Sequence, residues 1–313
     1  MRFPAAGRTF FAVRRTSVSH AAWWSCILLA VAVGTACRRA RGREEAAAAF
    51  TLGGPPDSTI PAGPLGDAIR RGRALLLATR DSLPKQVGNR LRCTSCHLDG
   101  GRRPSGTWVG TYAHYPTYRS RSNTVETIEY RVNDCFRRSM NGRPLATDGR
   151  DMRDIVAYFA FLSRDVPMGL TSRSTRLEKW AKLTADTAAG RTEYASVCAR
   201  CHGPDGGGTQ AAPPVWGRAS YNVGAGMARV RTAAAFIKDN MPFDQPGSLT
   251  DQQAFDVAAY VNARPRPDFP AKIHDWPMGD APPDVAYETI AARRKQIAPA
   301  PTHRHSTDHQ RRP

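Results

Sequence analysis

An all-α protein of two small tandem modules is predicted by three features of the chain. Two C-x-x-C-H runs, Cys93-Thr94-Ser95-Cys96-His97 and Cys198-Ala199-Arg200-Cys201-His202, begin 105 residues apart. Each is followed, near the end of its module, by an apolar stretch of helical period, over residues 151–159 and 251–261. No segment shows the sustained alternation of a strand.

In each run two thiols can form thioethers to a porphyrin edge while the adjacent imidazole reaches the iron from the next helical turn, the attachment signature of haem c. A bare C-x-x-C pair would equally suit zinc or a redox dithiol, and the histidine directly after the second cysteine selects haem. The chain therefore reads as two class I-like cytochrome c domains with two covalently bound haem c groups, one held by Cys93, Cys96 and His97 and the other by Cys198, Cys201 and His202. A weak internal repeat supports the tandem arrangement: Gly72-Arg73-Ala74-Leu75 answers Gly190-Arg191-Thr192-Glu193, each ahead of its run.

Taken in order, residues 1–36 read as an export signal. Arg2, Arg8, Arg14 and Arg15 precede an apolar run over 21–36, whose 16 residues are few for a spanning helix. Gly34-Thr35-Ala36-Cys37 resembles a bacterial lipoprotein box, with Cys37 as lipid anchor and the sole membrane contact; ordinary cleavage and an uncleaved anchor are the competing readings. The compartment implied is the periplasm. Residues 37–66, rich in Arg, Glu, Ala, Gly and Pro, read as a flexible tether. The first cytochrome domain spans 67–170 and opens with a helix over 67–80, with Asp67 as cap and Ile69, Leu75, Leu76 and Leu77 facing the core. A polar linker, 171–187, leads to the second domain, 188–264. The remainder, 265–313, reads as a solvated Pro-rich basic tail carrying His303, His305 and His309.

The formal charge of +18, set by 39 Arg and 6 Lys against 27 acidic residues, favours anionic partners: a small sulfur oxyanion, an acidic redox protein or a membrane surface. A GC-rich genome would write the same excess of Arg over Lys. The arginines are scattered and no nucleic-acid motif is present, so nucleic acid is not an expected partner.

Each iron needs a distal ligand. Met241, in Asn240-Met241-Pro242-Phe243, lies 39 residues after His202 and suits the second haem; Met227 competes and reads as a packing side chain. In the first module two rulers disagree. Counting forward from His97 reaches Cys135 after 38 residues, whereas counting back from the final helix, with Tyr158 paired to Tyr260, favours Met140, at 18 residues against 19 for Met241. Cys135 is also the cysteine that nothing else accounts for. Of seven, four lie in the haem runs and Cys26 and Cys37 belong to the export segment, which leaves Cys135 unpaired in a compartment where lone thiols are oxidised. His114 reads as a surface histidine.

The stretch Arg131-Val132-Asn133-Asp134-Cys135-Phe136-Arg137-Arg138-Ser139-Met140-Asn141-Gly142, with Asn222-Val223-Gly224-Ala225-Gly226-Met227 and Asp256-Val257-Ala258-Ala259-Tyr260, resembles the dihaem thiosulfate dehydrogenases over about residues 91–266. The resemblance implies that Cys135 ligates a catalytic haem opposite His97 and that Met241 ligates an electron-transfer haem opposite His202. It also implies that Arg121, Arg131 and Ser139 line the substrate pocket. Arg138 joins them here on charge and proximity, and Arg137 is assigned to a solvated helix face. Some members carry Lys just before the methionine, where this chain has Asn240. The implied activity couples two thiosulfate ions to tetrathionate, in either direction, with electrons passed to an external cytochrome c or another one-electron acceptor.

The chemistry is consistent with those residue types. Joining two dianions through sulfur removes two electrons and must overcome like-charge repulsion, so forked cations and a sulfur nucleophile are needed. A thiolate ligand lowers a haem potential and a methionine raises it, which directs electrons from the first haem to the second. Two other readings stay open on sequence: a dihaem electron carrier with Met140 as ligand and Cys135 simply buried, and a sulfur-oxidation cytochrome that loads thiosulfate onto a carrier protein.

Overall fold

The computed structural model describes residues 54–103, 105–169 and 183–297. The export signal, Cys26, Cys37, most of the tether and linker, and His303, His305 and His309 lie outside the described residues. The fold is all-α, with two cytochrome c domains in tandem.

Each module is organised around one close helix crossing. In the first, α1 (Gly63–Leu77) packs on α3 (Arg150–Leu162). A Cβ at Gly72 would lie 1.9 Å from the Asp154 carbonyl oxygen, so only glycine lets the two backbones approach. In the second, α4 (Thr187–Glu193) packs on α6 (Asp251–Asn262), and a Cβ at Gly190 would lie 2.1 Å from the Asp256 carbonyl oxygen. The internal repeat thus marks equivalent crossing points. Behind the first crossing, Leu76, Phe136, Met152, Ile155, Tyr158 and Leu162 form a fully buried core. α6 starts where its sequence directs, Thr250 and Gln253 forming a reciprocal capping box.

Three local differences from the sequence expectations have physical causes. α1 begins at Gly63, with Pro64 pre-set for the first turn, so Asp67 lies inside the helix beside Arg70 (3.2 Å) and does not cap it. The helix ends at Leu77, and Thr79–Ser82 is a separate short helix. A small antiparallel hairpin, β1 (Thr117–Arg119) and β2 (Thr124–Glu126), pairs Tyr118 with Val125; three residues per strand leave no alternation to detect.

The solvated tail is the larger correction. Residues 265–289 run as a strap over the molecule. Gly217 and Val223 donate backbone hydrogen bonds to the Pro265 and Pro267 carbonyls, and Trp276 donates to the Arg121 carbonyl (2.8 Å). Asp275, Trp276 and Thr289 are buried. Ion pairs and single aromatic anchors fix this segment, and these leave no periodic trace in a Pro-rich sequence. No helix among the described residues is long and apolar enough to cross a membrane.

Candidate active site

Helix α2 (Ile128–Arg138) carries the distinctive residues. Thr127 caps it by accepting from the Tyr130 amide, and Ile128, Val132 and Phe136, at i, i+4 and i+8, bury one face in the core. The same spacing aligns Arg131, Cys135 and Ser139 along a neighbouring face. All three line a cavity of about 380 Å³ together with Cys93, Cys96, His97 and Met140. Both candidate distal ligands of the first haem, Cys135 and Met140, therefore reach the same cavity. What separates them is Arg131, whose Nη1 donates to Cys135 Sγ at 2.9 Å. A guanidinium N–H aimed at sulfur is the contact that a negatively charged sulfur accepts most strongly. The charge of Cys135, against the opposing effect of burial, holds Arg131 above its ordinary range.

The donor set fits a covalently attached haem. The cavity brings three unpaired thiols and an imidazole together with apolar walls from Leu76, Leu91, Trp108, Phe136, Phe159 and Phe236. His97 Nδ1 bonds to the Gly106 carbonyl at 2.5 Å, leaving Nε2 for a metal, and its ring stacks on Trp108 with centroids 4.8 Å apart. Burial pushes the imidazole down to about 4, so it stays neutral and able to ligate. In the second module His202 Nδ1 bonds to the Pro213 carbonyl at 2.8 Å, with the same consequence for Nε2, and burial again lowers its pKa.

Met241 directly follows α5 (Val230–Asn240), where its amide closes the helix onto the Ile237 carbonyl. Arg200, inside the second C-x-x-C-H run, grips Asp244 through both carboxylate oxygens at 2.7 and 2.9 Å, so the Met241 loop lies against the haem attachment run. Asn240 is buried, with Nδ2 donating to the Phe236 carbonyl at 3.2 Å. Met227, the competing methionine, lines the first-module cavity.

Arg121 and Arg138 are placed differently from Arg131. Arg138 is buried and its donors are taken: Nε by Asp134 at 2.5 Å, Nη1 and Nη2 by Asp275 at 2.7 and 2.8 Å, with the guanidinium 4.5 Å from the Phe269 ring centroid. It does not line the cavity, and an anion would have to displace carboxylates to reach it. Its structural role is to hold Asp134, which in turn stands 3.9 Å from Arg131. Burial would raise the Asp134 carboxyl, but the Arg138 and Arg131 charges outweigh it and hold the group below its ordinary range. Arg121 donates to the Gly224 carbonyl at 2.9 Å, lies 3.9 Å from Asp275 and packs over Trp276. Arg137 has a distant contact, 6.0 Å to the Tyr130 ring.

Two features of the site were missed in the sequence. Asp134 was readable, since Arg131, Asp134 and Arg138 have the i, i+3 and i+4 spacing of helical ion pairs. Of the second module's share of the wall, Gly226 and Met227 lay in a stretch that carried the resemblance, whereas Thr232, Ala235 and Phe236 carried no local signal.

Comparison with known proteins agrees with this architecture. Residues 85–168 match the SoxA/TsdA cytochrome c domain, and residues 185–261 match the family described as cytochrome C oxidase, cbb3-type, subunit III. Two cytochrome c domains imply binding of haem c. A thiosulfate dehydrogenase of Psychrobacter arcticus is 43% identical over 254 residues, covering 79% of this chain and 78% of that protein. One from Allochromatium vinosum is 39% identical over 253 residues, covering 77% and 91%. A solved structure, thiosulfate dehydrogenase (TsdBA) from Marichromatium purpuratum in its as-isolated form, is similar with a TM-score of 0.61 and 36% identity over 68% of this chain. The match covers 49% of that structure, so this chain spans about half its length.

Proposed function

Since the chain belongs to the thiosulfate dehydrogenase family, we propose that it oxidises thiosulfate, joining two ions into tetrathionate and passing electrons through two haems to an external one-electron acceptor. The observation that carries this reading is the Arg131 Nη1 to Cys135 Sγ contact within the cavity that also holds Cys93, Cys96 and His97. Cys93, Cys96, His97 and Cys135 would hold the first haem, and Cys198, Cys201, His202 and Met241 the second, each supplying one-electron redox chemistry.

Arg131 has donors left beyond its contact with Cys135 and can hold the sulfonate of a first thiosulfate, with Ser139 lining the same wall. The Cys135 thiolate, free of any metal bond at this step, forms a bond to the outer sulfur of that ion, and the two electrons lost would pass to one-electron acceptors. The outer sulfur of a second thiosulfate then attacks the same sulfur, releasing tetrathionate and returning the Cys135 thiolate. The haems supply the one-electron acceptors for this step. Every step is reversible in principle, so tetrathionate reduction is the same chemistry in the opposite direction. Arg121 and Arg138 frame the site through Asp134, Asp275 and Gly224. The signal read over residues 1–36 and Cys37 support a periplasmic location.

The test is direct. The purified holoprotein, mixed with thiosulfate and an artificial one-electron acceptor, should reduce two equivalents of acceptor per tetrathionate formed. Haem reduction without tetrathionate would sink the proposal and leave an electron carrier.

A further inference from the structure

Arg121, Asp275, Arg138, Asp134, Arg131 and Cys135 form a line in which cations alternate with acidic groups and which ends in the first-module cavity. Arg121 Nε stands 3.9 Å from Asp275 Oδ2. Arg138 grips Asp275 through both Nη atoms at 2.7 and 2.8 Å and gives its Nε to Asp134 Oδ1 at 2.5 Å. The other oxygen of Asp134 stands 3.9 Å from Arg131 Nη1, which donates to Cys135 Sγ at 2.9 Å. Arg121 belongs to the turn between β1 and β2, and the next four in chain order belong to α2. Asp275 alone comes from the strap, C-terminal to both matched cytochrome c domains. It is buried, and the Tyr287 hydroxyl, from the same strap, donates to its Oδ2 at 2.5 Å.

The strap does not need this carboxylate to stay attached. Backbone hydrogen bonds to the Pro265 and Pro267 carbonyls, the Trp276 amide on the Arg121 carbonyl and the buried Trp276 ring already hold it. Apolar side chains of similar size would hold it about as well, because a buried ion pair returns little beyond the cost of its own desolvation. What a forked pair supplies is orientation. Two parallel bonds fix the plane of a guanidinium that would otherwise turn at the end of a long side chain. With its plane fixed by Asp275, Arg138 aims Nε at Asp134, and Asp134 faces Arg131 one residue before the sulfur.

We propose that Asp275 is a positioning residue of the first-module site, holding Arg131 against the Cys135 sulfur through Arg138 and Asp134. Its consequence for thiosulfate rests on the function proposed above, while its consequence for the first haem rests on haem attachment and Cys135 ligation alone. An N–H donated to a ligating sulfur draws electron density from it and raises the haem potential. A strap that keeps Arg131 in place therefore keeps that potential up. Asp275 acting only as a negative charge would do the reverse, since losing it would favour the ferrous state. The sign of the change separates positioning from charge.

The experiment is a double-mutant cycle on the holoprotein: wild type, Asp275→Asn, Arg131→Gln and the double variant at matched haem content. It reads the midpoint potential of the first haem by optical redox titration, and kcat/KM for thiosulfate with an artificial acceptor. Asp275→Asn should lower the potential when Arg131 is present and no longer lower it in the Arg131→Gln background. The same substitution should reduce kcat/KM about ten-fold alone and less than about two-fold in that background, because the contact it supports is already gone. An equal shift of potential in both backgrounds, an unchanged potential, or losses of kcat/KM that multiply would overturn the proposal. If the wild type itself fails to oxidise thiosulfate, the proposed function has failed and the potentials alone decide Asp275. Where Asp275→Asn yields no holoprotein, Tyr287→Phe takes its place in the cycle, since it removes a donor to Asp275 and leaves every charge. A potential lowered only in the presence of Arg131 then supports the role, and no shift or an equal shift in both backgrounds overturns it.

Discussion

In the first module Trp108 stands edge-on to Tyr158, with ring centroids 6.3 Å apart; in the second, Trp216 stands edge-on to Tyr260 at 5.8 Å. Each Trp packs against a glycine with positive φ, Gly101 or Gly206, where a Cβ would overlap the indole. His97 and His202 each engage a backbone carbonyl through Nδ1, and Gly72 and Gly190 each close a helix crossing. These frame positions correspond in pairs. The modules differ ahead of the haem run, where the first inserts the Thr79–Ser82 helix and the loop after it, and again between haem run and final helix. There the first module builds the β1–β2 hairpin and the cationic helix α2, and the second builds α5 and the Met241 loop. One scaffold, used twice, carries different segments between its haem run and its final helix.

The comparison is tested hardest by removing the sulfur from each exchanged segment. Cys135→Ala should lower thiosulfate turnover roughly a thousand-fold or more, as loss of a nucleophile does. It should also alter the spectrum of the first haem while leaving the second unchanged. Met241→Gly should give the opposite pattern. In a single turnover thiosulfate still reduces the first haem, and transfer to the external acceptor slows. If Met241→Gly abolished the first half-reaction in folded protein, the division between modules would be wrong. If Cys135→Ala kept its spectrum and Met140→Ala lost a ligand, the first module would be an electron carrier's.

The shared frame predicts equal damage at equivalent places. Gly72→Ala and Gly190→Ala each drive a methyl group into a facing carbonyl, which should destabilise the module concerned by about 3 kcal/mol through forced helix separation. Thermal unfolding followed at each haem's absorption should show the loss in the mutated module. A large effect at Gly72 with none at Gly190 would show that the second crossing can relax and that the frames differ in rigidity.

How much of this was legible follows the same division. The frame was readable because its signals are local and repeated: the C-x-x-C-H runs, the Gly-Arg pair before each, and the apolar helix at each end. The pairing of Tyr158 with Tyr260 came from spacing alone, and the two rings occupy matching positions. The surroundings of the site were less readable because long-range contacts build them. Asp275 meets Arg138 across 137 residues, and the strap that carries it has the composition of a loose tail. Arg138 shows the consequence: charge and proximity suggested a substrate contact, while carboxylates distant in sequence or one helical turn away take its donors.

The smallest and most specific effect separates Arg131 from Arg137 on the same helix. Arg131 touches the Cys135 sulfur, whereas the Arg137 guanidinium stands 6.0 Å from the Tyr130 ring. Arg131→Gln should lower kcat/KM for thiosulfate roughly ten- to a hundred-fold, the equivalent of a lost charged hydrogen bond of about 1.5–3 kcal/mol. Haem content should not change, because neither thioether nor His97 depends on this guanidinium. Arg137→Gln removes the same formal charge six residues away, and should change kcat/KM less than two-fold if proximity to sulfur is what counts. Raising the ionic strength sharpens the contrast, since it screens a surface field more than a partly buried contact. Equal losses in the two variants, both disappearing at high salt, would assign the effect to the overall positive field. The exchanged segment would then differ from its counterpart in charge alone and not in a built site.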